Sequence, residues 1–224
     1  MTPRTLLLFD LDGTLLLSSG AGRRAMERAG KKVFGNGFSL AEITFAGGLD
    51  PLILDQAVSA MGSSLDQPKH LEFRGIYASE LTAELLISHT YALPGIPQLL
   101  RRLSAMPGVE VGLLTGNYRE TGCMKLTRAG IDPACFEPTI WGDAAETRPG
   151  LVRVALDGSA HVAPQQVVVI GDTPHDVHCA RVNGCRSVAV GTGSFTLEEL
   201  SDAGADLALA DLSDPRPLLR LIDA

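Results

Sequence analysis

Residues 6–14 of this 224-residue chain read LLLFDLDGT, a short apolar run that breaks into two aspartates, a glycine and a threonine. The run has the length of one buried strand. Side chains two residues apart on a strand lie on the same face, so Asp10 and Asp12 can reach one small site at the end of that strand. Two carboxylates held this close repel each other. We therefore expect a bound divalent cation to offset their charge.

Two later apolar runs also end in polar residues. Residues 109–117 read VEVGLLTGN, and residues 167–176 read VVVIGDTPHD, after which the pattern becomes helical. Ligands of open parallel sheets bind outside the carboxyl ends of the strands. These distant segments are therefore expected to meet at one crevice. Residues 191–194, GTGS, look like a phosphate loop but lack a following lysine, so a plain turn between a strand and a helix is expected there.

The three motifs together resemble those of the haloacid dehalogenase superfamily, and specifically its phosphatases. The resemblance spans the chain from end to end. It implies that Asp10 is the catalytic nucleophile and that Asp12 is the general acid and base. It also implies that Mg²⁺ is the cofactor, bound by the carboxylates of Asp10 and Asp172 and by the backbone carbonyl of Asp12. Phosphate binding is implied for Thr115, Gly116, Asn117 and Arg148.

Arg148 stands where many members of the superfamily have a lysine. Arginine keeps the positive charge and adds a planar fork that suits phosphate and carboxylate groups. We expect Arg148 to bridge Asp10 and a phosphoryl oxygen, with Lys125 as the main rival for that role. Asp176 is expected to orient Arg148 or a metal-bound water, the alternative being that it simply caps the helix it begins.

The pattern of predicted elements indicates two structural parts. After residue 90, strands and helices alternate, which predicts an α/β fold with a Rossmann-like parallel sheet and helices on both faces. Residues 18–88 read instead as helices separated by glycine-rich turns. We predict a core domain of residues 1–17 and 89–224 and a small helical cap domain of residues 18–88, inserted after the first strand. The predicted cap helices are residues 23–34, 51–61 and 68–87.

Four residues of the predicted cap are candidates for substrate specificity: Arg23, Arg24, Gly48 and Asp50. The arginines could meet a second anionic group on the substrate, or they could remain solvated. The loop that holds Gly48 and Asp50 could select the leaving group. Alternatively it could be an ordinary helix start, with Asp50 capping the free amides of its own helix.

Composition excludes several classes of function. The chain has 26 acidic and 19 basic residues, a net charge of −7, and no basic run that would follow a nucleic-acid backbone. No apolar stretch approaches the roughly 20 residues that span a bilayer, and the run at residues 6–9 is too short for a signal peptide, so a cytoplasmic location is expected. Four cysteines without a CxxC spacing argue against zinc and disulfide frameworks.

The resemblance implies Mg²⁺-dependent hydrolysis of a small phosphorylated metabolite through an aspartyl-phosphate, as in phosphoglycolate phosphatases, by a monomer or homodimer. One alternative is a phosphomutase or a phosphonate hydrolase of the same superfamily. Phosphonate cleavage uses a cap lysine, and none of Lys31, Lys32 and Lys69 stands in a recognised pattern. A third hypothesis is a non-catalytic binding or regulatory module on the same fold, which the intact motifs disfavour.

Overall fold

The computed structural model describes residues 5–223. The predicted core segments also include residues 1–4 and 224, which lie outside the described part. The β-strands are β1 (Thr5–Phe9), β2 (Leu16–Leu17), β3 (Tyr91–Ala92), β4 (Val109–Leu114), β5 (Thr139–Ile140), β6 (Val167–Gly171), β7 (Arg186–Val190) and β8 (Leu207–Leu209). The α-helices are α1 (Ala21–Phe34), α2 (Asp50–Ala60), α3 (Gln67–Ile87), α4 (Ile96–Ser104), α5 (Arg119–Arg128), α6 (Arg148–Gly158), α7 (Pro174–Val182), α8 (Leu197–Asp202) and α9 (Arg216–Ile222).

The core is built on one parallel sheet. Within residues 5–223 it has six strands in the order β5-β4-β1-β6-β7-β8. β1 lies in the middle, where Leu7 is in register with Val111 of β4 and with Val168 of β6. Strand order reverses at β1, because the later strands continue outward on either side of it. A ligand crevice is expected at such a switch point, outside the carboxyl ends of the strands.

Both faces of the sheet are buried. Leu7 and Phe9 of β1 pack with residues of α4, α5 and α9, whereas Leu6 and Leu8 pack with residues of α6 and α7 on the opposite face. A strand covered on both faces is apolar at every position rather than at alternate ones, which explains the unbroken run in the sequence. The predicted α/β fold, a parallel sheet with helices on both faces, is confirmed.

A helical segment of α1, α2 and α3 lies between β2 and β3, which pair antiparallel and so bring its two ends together. The helices begin and end within two residues of the predicted ranges. They share an apolar cluster of their own that includes Met26, Leu54 and Phe73. We call residues 18–88 the cap, and their separation as a domain remains a prediction. No helix in residues 5–223 is both long and apolar enough to cross a membrane.

Candidate active site

A cavity of about 440 Å³ lies outside the carboxyl ends of β1, β4 and β6, between the core and the cap. Its volume is that of an ordinary small-molecule site. The predicted site residues that line it are Asp10, Asp12, Thr115, Gly116, Asn117, Arg148 and Asp172 from the core and Arg23, Gly48 and Asp50 from the cap. Lys125 lines it as well. Among the described residues, Asp176 and Arg24 are predicted site residues that do not line the cavity.

Arg148 joins Asp10 to Asp176. Its Nη2 lies 2.6 Å from Asp176 Oδ1 and 3.2 Å from Asp10 Oδ1, and its Nε donates to the same Asp176 oxygen at 3.1 Å. The other oxygen of Asp176 accepts from the amide of Thr173 at 3.1 Å and from its hydroxyl at 2.7 Å. Asp176 therefore caps α7 and holds Arg148 at the same time.

The carboxyl groups at this end of the sheet are strongly perturbed. Burial raises the pKa of Asp10 to about 6, although the charge of Arg148 acts in the opposite sense. Burial and the neighbouring charges of Asp10 and Asp176 raise the pKa of Asp172 to about 8. Arg148 pairs with Asp10 and Asp176, whereas none of the described ion pairs includes Asp172. Ionisation of all three carboxyl groups would therefore leave negative charge in excess.

The same carboxyl groups fit a divalent cation. Asp10, Asp172 and Asp176 each offer an oxygen, and these atoms lie within 4.8 Å of one another. In the described part of the chain, Oδ1 of Asp172 is buried and has no hydrogen-bond partner. Clustered carboxylate oxygens are ligands that Mg²⁺ prefers. Because both oxygens of Asp176 already accept hydrogen bonds, Asp10 and Asp172 are the better ligands.

Asp12 is held by a different cation. Nζ of Lys125 lies 2.6 Å from Asp12 Oδ2 and 2.6 Å from Asn117 Oδ1. Asn117 Nδ2 in turn donates to Asp12 Oδ2 at 3.0 Å and to Thr115 Oγ1 at 2.9 Å. The side chain of Asn117, assigned to phosphate from the sequence, is thus engaged by Asp12, Thr115 and Lys125.

The position of Lys125 follows from the helix that carries it. The buried residues of α5 include Thr121, Gly122 and Lys125, which share one face at a spacing of three to four residues. This face turns Lys125 back toward the strand ends. Sequence reasoning treats Lys125 as a rival for contact with Asp10, whereas the structure pairs it with Asp12. The sequence feature that could have identified this contact is a lysine on the buried face of the helix that directly follows the end of a strand.

The loop before α2 connects the cap to the core. The amide of Asp50 donates to the carbonyl of Gly116 at 2.8 Å, and Asp50 Oδ2 accepts from the amide of Tyr118 at 3.0 Å. Of the two alternatives for this loop, the one in which Asp50 caps its own helix is wrong, because its side chain crosses to the core and Leu49 is the N-cap. A Cβ at Gly116 would lie 2.0 Å from the carbonyl oxygen of Gly48, so this close approach requires glycine.

The two cap arginines have different surroundings. Arg23 lines the cavity, where its Nη2 donates to the carbonyl of Leu40 at 2.7 Å and its guanidinium lies 5.0 Å from the centre of the Phe45 ring. Arg24 forms an ion pair with Glu84 at 2.7 Å. The structure therefore brings Arg23 to the cavity but not Arg24, because Glu84 holds the latter elsewhere.

The loop after β7 also reaches the site. The hydroxyl of Thr192 donates to the carbonyl of Gly13, and a Cβ at Gly193 would lie 1.7 Å from Asp172 Oδ2. Residues 191–194 connect β7 to α8, as the sequence predicts, but Gly193 also packs against the carboxyl group of Asp172. Nothing in the local sequence indicates this, because the contact joins chain segments that are far apart.

The chain is similar in sequence to known proteins. A family model described as haloacid dehalogenase-like hydrolase matches residues 7–190. A phosphoglycolate phosphatase of Cereibacter sphaeroides is 29% identical over 184 residues, which cover 80% of this chain and 82% of that protein. A phosphoglycolate phosphatase of Aliivibrio fischeri is 28% identical over 224 residues, covering 90% of each.

Solved structures show the same fold. The crystal structure of a hydrolase from Pseudomonas syringae superposes with a TM-score of 0.74 at 22% identity, covering 98% of this chain and 99% of that one. The family match includes the strand ends that form the site and spans more than half of the sequence. The resemblance drawn from the motifs is thereby confirmed, and the chain belongs to the haloacid dehalogenase-like hydrolase family.

Proposed function

We propose that this protein is a phosphatase that hydrolyses a small-molecule phosphate monoester with Mg²⁺, through an aspartyl-phosphate on Asp10. The observation that carries the proposal is that Asp10 and Asp12 lie at one strand end but are held by different cations, Arg148 and Lys125. Two carboxyl groups in different surroundings are suited to different roles. Relatives named phosphoglycolate phosphatase make 2-phosphoglycolate the first substrate to test.

Asp10 is the nucleophile in this proposal. One of its oxygens attacks phosphorus, and the bond between phosphorus and the ester oxygen breaks. Arg148, 3.2 Å from Asp10, offsets the repulsion between the carboxylate and the phosphate dianion. The hydroxyl of Thr115 and the amide of Gly116 stabilise charge on the equatorial oxygens, which is the main requirement of phosphoryl transfer.

Asp12 serves both half-reactions as general acid and base. In the first, it gives its proton to the departing oxygen, so that the leaving group departs as an alcohol. In the second, it takes a proton from the water that attacks phosphorus. The bond between phosphorus and Asp10 then breaks, inorganic phosphate is released and Asp10 is regenerated.

The cofactor in this proposal is Mg²⁺. The carboxylates of Asp10 and Asp172, with the backbone carbonyl of Asp12, would hold it. When bound, it supplies positive charge to the phosphoryl oxygens and balances the excess of carboxylates. The unpartnered Oδ1 of Asp172 supports this part of the proposal for the described chain.

The cap is proposed to contact the leaving group. Arg23, Gly48 and Asp50 line the cavity from the cap side, and we assign substrate specificity to them. In this assignment residues 18–88 are the cap domain, and residues 1–17 with 89–224 are the core domain. A closed cap would exclude bulk water, which strengthens the electrostatic interactions within the cavity.

The phosphonate alternative receives no support from the cap lysines. Lys31 pairs with Glu27 at 2.9 Å, and Lys32 pairs with Glu80 at 2.5 Å. Neither of these lysines, nor Lys69, is among the described residues that line the cavity. An amine that forms a covalent adduct with a substrate would have to lie there.

The proposal is tested by phosphate release from 2-phosphoglycolate. We expect turnover with Mg²⁺ that EDTA abolishes, and a loss of at least about 10⁴-fold in D10N, because the nucleophile is removed while the fold is kept. The matched control is D157N, since Asp157 is exposed and pairs with the exposed Arg153; it should retain full activity. Normal turnover in D10N would exclude Asp10 as the nucleophile. When a sugar phosphate is the substrate instead, formation of an isomeric sugar phosphate without free phosphate would indicate a mutase.

A further inference from the structure

Lys125 is a buried ammonium group that the hydrolytic steps above do not use. Its side chain is 5% exposed, against 40% for that of Asp12. Burying an amine with its charge costs free energy unless the charge is paired and hydrogen-bonded. Asp12 Oδ2 and Asn117 Oδ1, each 2.6 Å from Nζ, provide that pairing. The placement of Lys125 is therefore tied to the position of Asp12.

These three side chains close a ring of hydrogen bonds. Lys125 donates to Asp12 and to Asn117, and Asn117 Nδ2 donates to Asp12 Oδ2 at 3.0 Å. Thr115 accepts from the same Nδ2 at 2.9 Å and fixes Asn117. Oδ2 of Asp12 thus accepts two hydrogen bonds, one from the charged Lys125 and one from Asn117. These two donor side chains are hydrogen-bonded to each other, so neither moves independently.

The other oxygen of Asp12 has different surroundings. In residues 5–223 its hydrogen-bond partner is the hydroxyl of Ser18, at the long distance of 3.4 Å. Oδ2 already accepts hydrogen bonds from an ammonium and an amide, so a hydrogen carried on that oxygen would face the hydrogens of both donors. A proton exchanged by Asp12 therefore belongs on Oδ1.

The cap restrains Lys125 from the opposite side. A Cβ at Gly22 of α1 would lie 3.1 Å from Lys125 Nζ and 3.4 Å from the hydroxyl of Tyr77. The glycine allows α1 to pack closely over the ammonium group. Lys125 is therefore held in place by the core and the cap together. A residue that positions another side chain must itself be rigidly held.

We propose that Lys125 is a positioning residue for Asp12, which holds Oδ2 so that Oδ1 is presented to the oxygen of the leaving group. The inference rests on the proposed function. Lys125 acts on the step in which the ester bond to phosphorus breaks and the proton of Asp12 passes to the departing oxygen. It touches no reacting atom itself.

The test compares two esters in the K125M variant. An alkyl phosphate such as 2-phosphoglycolate needs its leaving oxygen protonated, whereas 2,4-dinitrophenyl phosphate has a leaving group that departs as an anion. We expect kcat/KM, which reports the steps up to release of the alcohol, to fall about 10²-fold or more for the alkyl ester. For the aryl ester the loss should stay within about 10-fold. The matched control is K69M, because Lys69 is an exposed cap lysine, and it should change neither value.

A double-mutant cycle separates positioning from a structural effect. Because Lys125 acts through Asp12, adding K125M to D12A should change kcat/KM for the alkyl ester little further. The inhibition constant of inorganic phosphate should also be unchanged in K125M, since Lys125 is not assigned to the phosphoryl group. Losses in D12A and K125M that multiply in the double variant would overturn the proposal.

The outcomes distinguish the two proposals. A wild-type protein that releases phosphate from neither ester with Mg²⁺ would overturn the proposed function and the role of Lys125 with it. Equal losses on both esters in K125M, with an active wild type, would overturn the role of Lys125 alone. If K125M fails to fold, K125Q provides the same comparison with a neutral side chain, and the same selective loss is expected.

Discussion

Two buried cations lie in different parts of the candidate active site. Arg148 is the first residue of α6 and contacts Asp10 and Asp176. Lys125 lies inside α5 and contacts Asp12 and Asn117. The Arg148 cluster, which consists of Arg148, Asp10 and Asp176, is built from core segments only, namely the residue after β1, α6 and α7. The Lys125 cluster is covered by the cap, because α1 packs over its ammonium group.

Neighbouring carboxyl groups can take opposite roles when their surroundings differ. Asp10 is buried next to Asp172 and Asp176, and Arg148 is shared among more carboxylates than it can neutralise. Asp12 is partly exposed and has a cation of its own. In our account the first cluster holds the phosphoryl group and the second handles the proton. Cap movement would therefore act on proton transfer more directly than on the nucleophile.

The largest effect that distinguishes the clusters is expected from R148M. Loss of the guanidinium leaves Asp10 and a phosphate dianion without their shared protein cation, so kcat/KM should fall about 10³-fold or more. Unlike the loss in K125M, this loss should be similar for 2-phosphoglycolate and 2,4-dinitrophenyl phosphate, because charge on the phosphoryl oxygens does not depend on the leaving group. Steady-state kinetics with both esters measures it.

The control for R148M is R148K, which keeps the charge but loses the planar fork and should recover part of the activity. R148M should also lower the free energy of unfolding by about 3–5 kcal/mol, since buried carboxylates lose their partner; urea unfolding measures this. A loss in R148M confined to the alkyl ester would contradict the division of labour between the two clusters.

A smaller effect is expected from Mg²⁺ on stability. The cation binds the native state through Asp10 and Asp172 in our account, so at about 100 times its Kd it should add about 2.7 kcal/mol of stability. That corresponds to a rise in Tm of roughly 5–10 °C, measured by calorimetry. D172N should lose this rise, whereas K125M should keep it, because Lys125 belongs to the other cluster. An equal rise in wild type and D172N would place the metal elsewhere.

The local sequence pattern of apolar runs and turn residues predicts most of the fold. The runs that begin at Leu6, Val109 and Val167 are strands whose polar tips meet at one cavity. The cap helices are predicted from the glycine and proline residues that mark where they begin and end. For example, α2 begins within one residue of Pro51. These features are set by residues close together in the chain, which is why the sequence alone predicts them.

The partners of individual side chains could not be predicted in this way. Asp50 looks like a helix cap, yet its carboxylate accepts from the amide of Tyr118, 68 residues away. Lys125 contacts Asp12 across 113 residues. Gly193 reads as part of a turn but packs on Asp172. Each contact depends on how the cap, α5 and the loop after β7 pack around the strand ends. The spacing of residues within one segment does not indicate such long-range packing.

In the proposed mechanism Asp10 carries the phosphoryl group while Asp12 handles the proton. Mass spectrometry of acid-quenched D12A, mixed with 2,4-dinitrophenyl phosphate and Mg²⁺, can detect the phosphoryl group on Asp10. The leaving group needs no proton, and the intermediate lacks its general base, so the peptide that contains Asp10 should gain one phosphoryl group. The same peptide in D10N should gain none. A phosphoryl group on another residue, or none in D12A while the wild type turns over, would show that Asp10 and Asp12 do not have these roles.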